Sequence, residues 1–154
     1  MSATEKKLAE LGIHLPQPAT PVASYVACVQ TGNLVVVSGQ LPMKDGALMH
    51  SGRLGEAVSL EQGQEAARQC AINLLAQLKA ALGGNLDRVT RVVRLGVFVN
   101  STDSFTDQPK VANGASDLMV AVFGDAGKHA RAAVGVNTLP LGVSVEIDAM
   151  FEVK

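Results

Sequence analysis

The chain has 154 residues, the size of one ordinary domain, and 47% of them are hydrophobic, enough for a closed core. A formal net charge of -1 and 3% aromatic residues exclude a surface built as a whole for nucleic acid. Two cysteines far apart, Cys28 and Cys70, exclude a disulfide framework or a zinc site as the organising feature, so no metal is expected.

Residues 2–11 predict a short helix. Ser2 and Glu5 have capping-box spacing, Leu8 and Leu11 share a face, and Gly12 can end the element. Pro16, Pro18 and Pro21 then forbid regular pairing, so residues 1–21 read as a terminal helix and extended linker strapped onto a domain at 22–154. SYVACVQ and LVVVSGQ, joined by Thr31, Gly32 and Asn33, predict a hairpin. Residues 42–57 carry three glycines and predict an excursion with at most one short strand.

Residues 59–82 form the clearest element. Ser59 and Gln62 make a second capping box, and Ala67, Cys70, Ala71, Leu74, Leu75, Leu78 and Leu82 recur at helical period. Cys70 lies on that stripe, as a buried small hydrophobe would. Residues 89–99 are apolar in both strand phases, with Val93, Leu95, Val97 and Val99 in one and Val92 and Phe98 in the other, which places this strand inside a sheet. Pro109 opens a second amphipathic helix over 109–123, and two strands follow at 130–137 and 143–153. The order of elements predicts an α+β fold, a mixed sheet with two helices packed on one face.

The last two strands carry the functional signal. Ala130, Ala132, Val134 and Val136 share one phase, leaving Arg131, Ala133, Gly135 and Asn137 opposite; Val145, Ile147, Ala149 and Phe151 likewise leave Glu146 and Asp148 opposite. If the apolar sets lie beneath the helices, Arg131 and Glu146 project from the same uncovered face, and a second copy of the chain is the expected cover. A guanidinium there is suited to clamp a carboxylate through its planar fork; an Arg–acid pair tying subunits together is the equally open alternative.

The segments SYVACV, LVVVSGQLP, RVTRVVRLGVFVN, HARAAVGV and VSVEIDAMFEV, in this order, resemble the Rid (YjgF) family over residues 22–154, as a divergent branch with an extra N-terminal helix. The resemblance implies a chorismate-mutase-like sheet with two helices on one face, a homotrimer with clefts between subunits, and no cofactor. It also implies hydrolysis of reactive enamines and imines to 2-oxo acids and ammonia. Under it Arg131 holds the substrate carboxylate, Glu146 positions or activates water, and Tyr25 closes the pocket. Ser38 and Gly39 line it, and Asn113 stands at the start of the second helix. Departures accompany the match. Ala133 replaces a frequent cysteine, Ala23-Ser24 replaces Gly-Pro, Ser116 replaces an aromatic, and FGDAGKHAR is a longer approach to Arg131.

Other readings are weaker. His14, His50 and His129 lack ligand spacing; His129 is in phase with Arg131 and could line a cleft mouth, but a solvated loop histidine is the ordinary case. Arg88, Arg91 and Arg94 cannot all share a face of a strand, which argues against an endoribonuclease groove and against nucleic acid as a partner. The first residues lack a basic-then-apolar leader, and no apolar run is long enough to span a membrane, so the expected setting is cytoplasmic, without a membrane partner. The expected partner is a small carboxylate metabolite, bound by an imine deaminase or by a non-catalytic trimer.

Overall fold

The computed structural model describes residues 2–154. Three α-helices, α1 (Ala3–Glu10), α2 (Leu60–Ala81) and α3 (Gln108–Phe123), accompany seven strands. The strands are β1 (Cys28–Thr31), β2 (Leu34–Gln40), β3 (Met43–Lys44), β4 (Ala47–Leu48), β5 (Val89–Asn100), β6 (Ala130–Val136) and β7 (Val145–Val153). Five of them form one mixed sheet in the order β1-β2-β7-β5-β6, antiparallel throughout except for the parallel pair β5–β6. This is the expected α+β architecture, with α2 and α3 packed together on one face and α1 as a third helix beside α3.

The capping box of α2 is complete: Gln62 N donates to the Ser59 hydroxyl, and the Gln62 side chain accepts from Ser59 N. Leu74, Leu75 and Leu78 are then fully buried against the sheet, each worth about 1.5–3 kcal/mol of apolar transfer. Cys70 is buried on the same stripe, and burial pushes its thiol well above the usual range, with the Glu146 charge adding to the shift. Burial extends around the helix to the polar Gln69, Asn73 and Gln77, which the apolar stripe did not anticipate. Their amides act as a ladder. Gln69 donates to Asn73 (3.0 Å), Asn73 donates to the carbonyls of Leu41 and Met43, and Gln77 donates to Ala19 O (2.7 Å).

The N-terminal helix and the turn after it are docked on the domain. The Asp87 carboxylate accepts from Thr4 N, Thr4 Oγ1 and Ala3 N at the start of α1, where a negative charge meets the helix dipole. These bonds to Thr4 and Ala3 hold the Asp87 carboxyl below its usual range. Glu5 pairs with Lys79 of α2 at 2.8 Å, and Leu8 and Ile13 join the main core.

Four local expectations need correction. Tyr25 and Val26 precede the first strand, which begins at Cys28; Ser38 Oγ donates to Val26 O across that end, where the β2–β7 register also shifts between Val37 and Gln40. The 42–57 excursion contains two short strands, β3 and β4, turned at Asp45-Gly46 with both residues at positive φ. A register shift between Val92 and Arg94 buries Val92 beside Leu95 and leaves Val93 half-exposed, reversing their expected phases. The fourth correction bears on function. Arg131 is in register with Leu95, and Leu95 with Ala149, both of them buried beneath the helices, whereas Glu146 is in register with Phe98 on the opposite face. Arg131 and Glu146 therefore lie on opposite faces of the sheet within one chain.

Candidate functional site

Arg131 sits on β6, the edge strand, and its side chain runs toward α3. Its Nη1 donates to Asn113 Oδ1 at 2.9 Å and to Ser116 Oγ at 3.1 Å. Asn113 and Ser116 are one helical turn apart, so both fall on the flank of α3 that looks at β6. Among the described residues no carboxylate comes within ion-pair distance of this guanidinium, and the residue is exposed. Its Nε and Nη2 make no side-chain hydrogen bond among the described residues. Ala133 follows on the same face and packs at the core margin.

His129 completes this cluster. Its Nδ1 lies 2.6 Å from Gly127 O, and its Nε2 lies 2.8 Å from Ser116 Oγ. Gly127 is packed so tightly on α3 that a Cβ there would run into the carbonyl oxygen of Met119, a main-chain atom that cannot swing aside. The carbonyl that holds His129 is thus fixed by backbone packing. The sequence placed His129 on a solvated loop and treated Ser116 as a departure from a pattern. The available signals were the shared phase of His129 with Arg131 and the i,i+3 spacing of Asn113 and Ser116.

The remaining expected residues gather elsewhere. Ser38 and Gly39 occupy the shifted register in β2, and Glu146 of β7 lies directly against Gly39, where a Cβ would meet its carboxylate. Bulges of this kind re-aim side chains beside sites. Glu146 is half-buried, and desolvation, then the Asp148 charge, raise its pKa above the usual 4.5. On the α2 side of this bend the proline-rich segment roofs a cavity of about 520 Å³ lined by Pro18, Tyr25, Ser38, Gly39, Asn73 and Gln77, among others. Tyr25 is 57% exposed at its rim. A smaller polar cleft of about 280 Å³ lies at the far end of β6, between Gly135, Gln108 and Ser101.

The candidate residues consequently form two groups: Arg131, Asn113 and Ala133 at one edge, and Tyr25, Ser38, Gly39 and Glu146 toward the other. β6 is separated from β7 by one strand and from β2 by two. That is roughly 10–15 Å of sheet, besides the change of face, and more than a molecule the size of an amino acid spans. On the open face the second register shift brings Arg91 and Arg94 into a common phase, opposite Glu152 and Met150. Arg94 pairs with Asp148 at 3.7 Å, and this surface is mixed in charge rather than basic.

Fold and site together define an α+β protein of chorismate-mutase-like architecture with an arginine at a sheet edge that has no acidic partner among the described residues. The chain belongs to the YjgF/RutC family: residues 5–152 match the family model described as "YjgF/chorismate mutase-like, putative endoribonuclease". Protein TCP17 of Trypanosoma cruzi is 53% identical over 148 residues, covering 96% of this chain and 92% of that protein. The 2-iminobutanoate/2-iminopropanoate deaminase of Dermatophagoides farinae is 26% identical, covering 92% of this chain and 95% of its own. The crystal structure of a protein of unknown function from Agrobacterium tumefaciens is 48% identical and superposes with a TM-score of 0.93, covering 98% of this chain and 92% of that one.

Proposed function

We propose that the protein is an enamine/imine deaminase that hydrolyses reactive imino acids to 2-oxo acids and ammonia, with Arg131 holding the substrate carboxylate. The observation that carries this reading is the state of Arg131. It is anchored by one nitrogen to two neutral side chains, it lacks an acidic partner among the described residues, and the residue is exposed. The name of the Dermatophagoides relative supports the same chemistry.

In this reading the site is shared between copies. The Arg131 edge of one subunit meets the Tyr25, Ser38–Gly39 and Glu146 region of the next in a homotrimer, as the family resemblance implies. Exposed Val26, Val29 and Val134 and half-exposed Met150 supply apolar surface for such contacts. An imine carbon is already electrophilic, so orientation, water and proton transfer suffice without a covalent nucleophile. The setting would be the cytoplasm. No helix of the described residues is long and apolar enough to cross a membrane.

The alternative is a non-catalytic trimer that binds small carboxylates, favoured by the distance between Glu146 and Arg131 in a single chain. Endoribonuclease-like activity is a third reading, opposed by the mixed charge around Arg94. The deciding experiment generates imino acids in situ with an amino-acid oxidase and traps survivors with semicarbazide, using protein sized by light scattering. A trimer that lowers the trapped fraction, and a Glu146→Gln variant that loses more rate than affinity, are expected. A monomer at micromolar concentration, or 2-oxo acids bound without acceleration across small and bulky imines, rejects the deaminase.

A further inference from the structure

The cavity beneath the proline-rich segment has a lining of largely one chemical kind. Pro16, Pro18 and Pro21 line it from the roof, and Ala27, Leu41, Met43 and Ala76 from the body of the domain. Most polar side chains of the lining direct donors at main-chain carbonyls. Asn73 donates to Leu41 O and Met43 O, Gln77 to Ala19 O, Gln40 to Ser38 O, and the Ser38 hydroxyl to Val26 O. Asn73 Oδ1 in turn accepts from Gln69. Gln17, Thr20 and Asp45 are exposed. No lysine, arginine or histidine is among the lining residues. A carboxylate inside would lose its water without gaining a cation, beside amides and a hydroxyl already engaged, which makes its burial costly. Water is poorly served as well, since an ordered water needs roughly two to four polar partners.

We propose that this cavity binds an uncharged aromatic ring. Its volume of about 520 Å³ falls in the range of about 300–1,000 Å³ usual for small-molecule sites. The proline rings and Tyr25 at the rim are rigid faces, and ordering them against a planar group costs little conformational entropy. Displacing loosely held water from such walls with an apolar group gains affinity. Tyr25, Ser38 and Gly39 line this cavity and are also the residues assigned above to the cleft between copies. The ring therefore has two sources. One is a free neutral molecule; the other is the side chain of an acid whose carboxylate stays outside, on Arg131 of the next copy. The site needs neither the trimer nor turnover, so it stands apart from the deaminase reading.

Tyr25 is the only tyrosine of the chain, so labelling with 3-fluorotyrosine gives a single fluorine resonance at the cavity rim. Indole is the neutral probe. Its titration should shift that resonance saturably, with a Kd below about 1 mM. Ala76→Leu adds bulk to the cavity wall and should weaken indole by about 10-fold or more. Gln77→Ala adds no bulk but unties the roof from α2, and should weaken indole about 3–10-fold. Calorimetry with phenylpyruvate and pyruvate then separates the two sources. Phenylpyruvate bound about 10-fold tighter than pyruvate, and weakened by Arg131→Lys more than indole is, makes the ring the side chain of a clamped acid. Equal affinity for the two acids, with indole still bound, makes it a free molecule. No shift at the solubility limit of indole overturns the inference, as does an indole affinity unchanged in both cavity variants. A resonance that moves on trimer assembly and not with indole also overturns it, because a neighbouring copy is then the occupant. Indole bound without turnover of any imine rejects the deaminase and keeps the cavity site.

Discussion

The two ends of the sheet hold their polar groups by different means. At the β6–α3 edge, side chains interlock: Arg131, Asn113, Ser116 and His129 each make a hydrogen bond within the cluster, and Gly127 bolts the loop to the α3 main chain. At the Ser38–Gly39 bend the main chain does the positioning, through a register shift and a proline-rich segment tied to α2 by Gln77. Among the described residues Glu146 has no side-chain hydrogen bond there, and it is half-buried beside a second carboxylate, Asp148. The first region is pre-organised to grip a ligand of fixed shape. The second offers a cavity and, on the other side of the bend, a half-buried carboxylate.

Replacing the clamp itself should have the largest effect. Arg131→Lys keeps the charge but loses the planar fork, and the expected cost in 2-oxo acid affinity is about 1.5–3 kcal/mol, by calorimetric titration. Equal affinity in the two proteins would make the arginine structural and erase the contrast between the regions.

The glycines sharpen the comparison from the stability side. Gly127→Ala pushes a Cβ onto the Met119 carbonyl, so denaturant unfolding should show a loss of about 1–3 kcal/mol. Gly39→Ala meets only the end of the Glu146 side chain, which can swing away. Its stability loss should be clearly smaller, while Glu146 is displaced. If Gly39→Ala were the more damaging, the bend would be the rigid region after all.

The smallest expected effect concerns Glu146 and pH. Its raised pKa means that the native state keeps a proton which the unfolded chain has already released above its ordinary value of 4.5. Stability from this group is therefore present below that value and is lost as the pH rises through the raised one. Glu146→Gln escapes the loss. It should melt slightly higher than the parent at pH 7, by no more than about 2 °C given the group's partial exposure, and at the same temperature near about pH 4. A variant less stable at neutral pH would show that the carboxylate has a partner in the assembled protein.

Much of the fold was legible because local rules acted alone there. The Ser59 and Gln62 box, the α2 stripe and Pro109 at the start of α3 each report a physical requirement that neighbouring residues satisfy among themselves. The tyrosine strand was not, since the residues before Cys28 leave the ladder and Val26 O is met by a side chain, Ser38 Oγ, twelve positions away. The buried amides of α2 were also hidden, because their partners are carbonyls of the proline-rich segment and of the loop around Leu41.

In β6 and β7, which pair without a bulge at these positions, the sequence alone told which residues share a face, since that follows from the two-residue period of a regular strand; in β5 a register shift broke that period. The sequence placed Arg131 with Ala133 and Gly135, and Glu146 with Asp148, and both groupings hold. Which face turns toward the helices was decided only by tertiary structure. In β7 the alternation of valine, isoleucine and phenylalanine with acids settles the matter, because only one side can be buried. In β6 both phases consist largely of alanine, valine and glycine, and burial energy scarcely distinguishes them. There the parallel register with β5 sets the orientation, and it turns Arg131 toward Asn113 and Ser116 rather than toward Glu146.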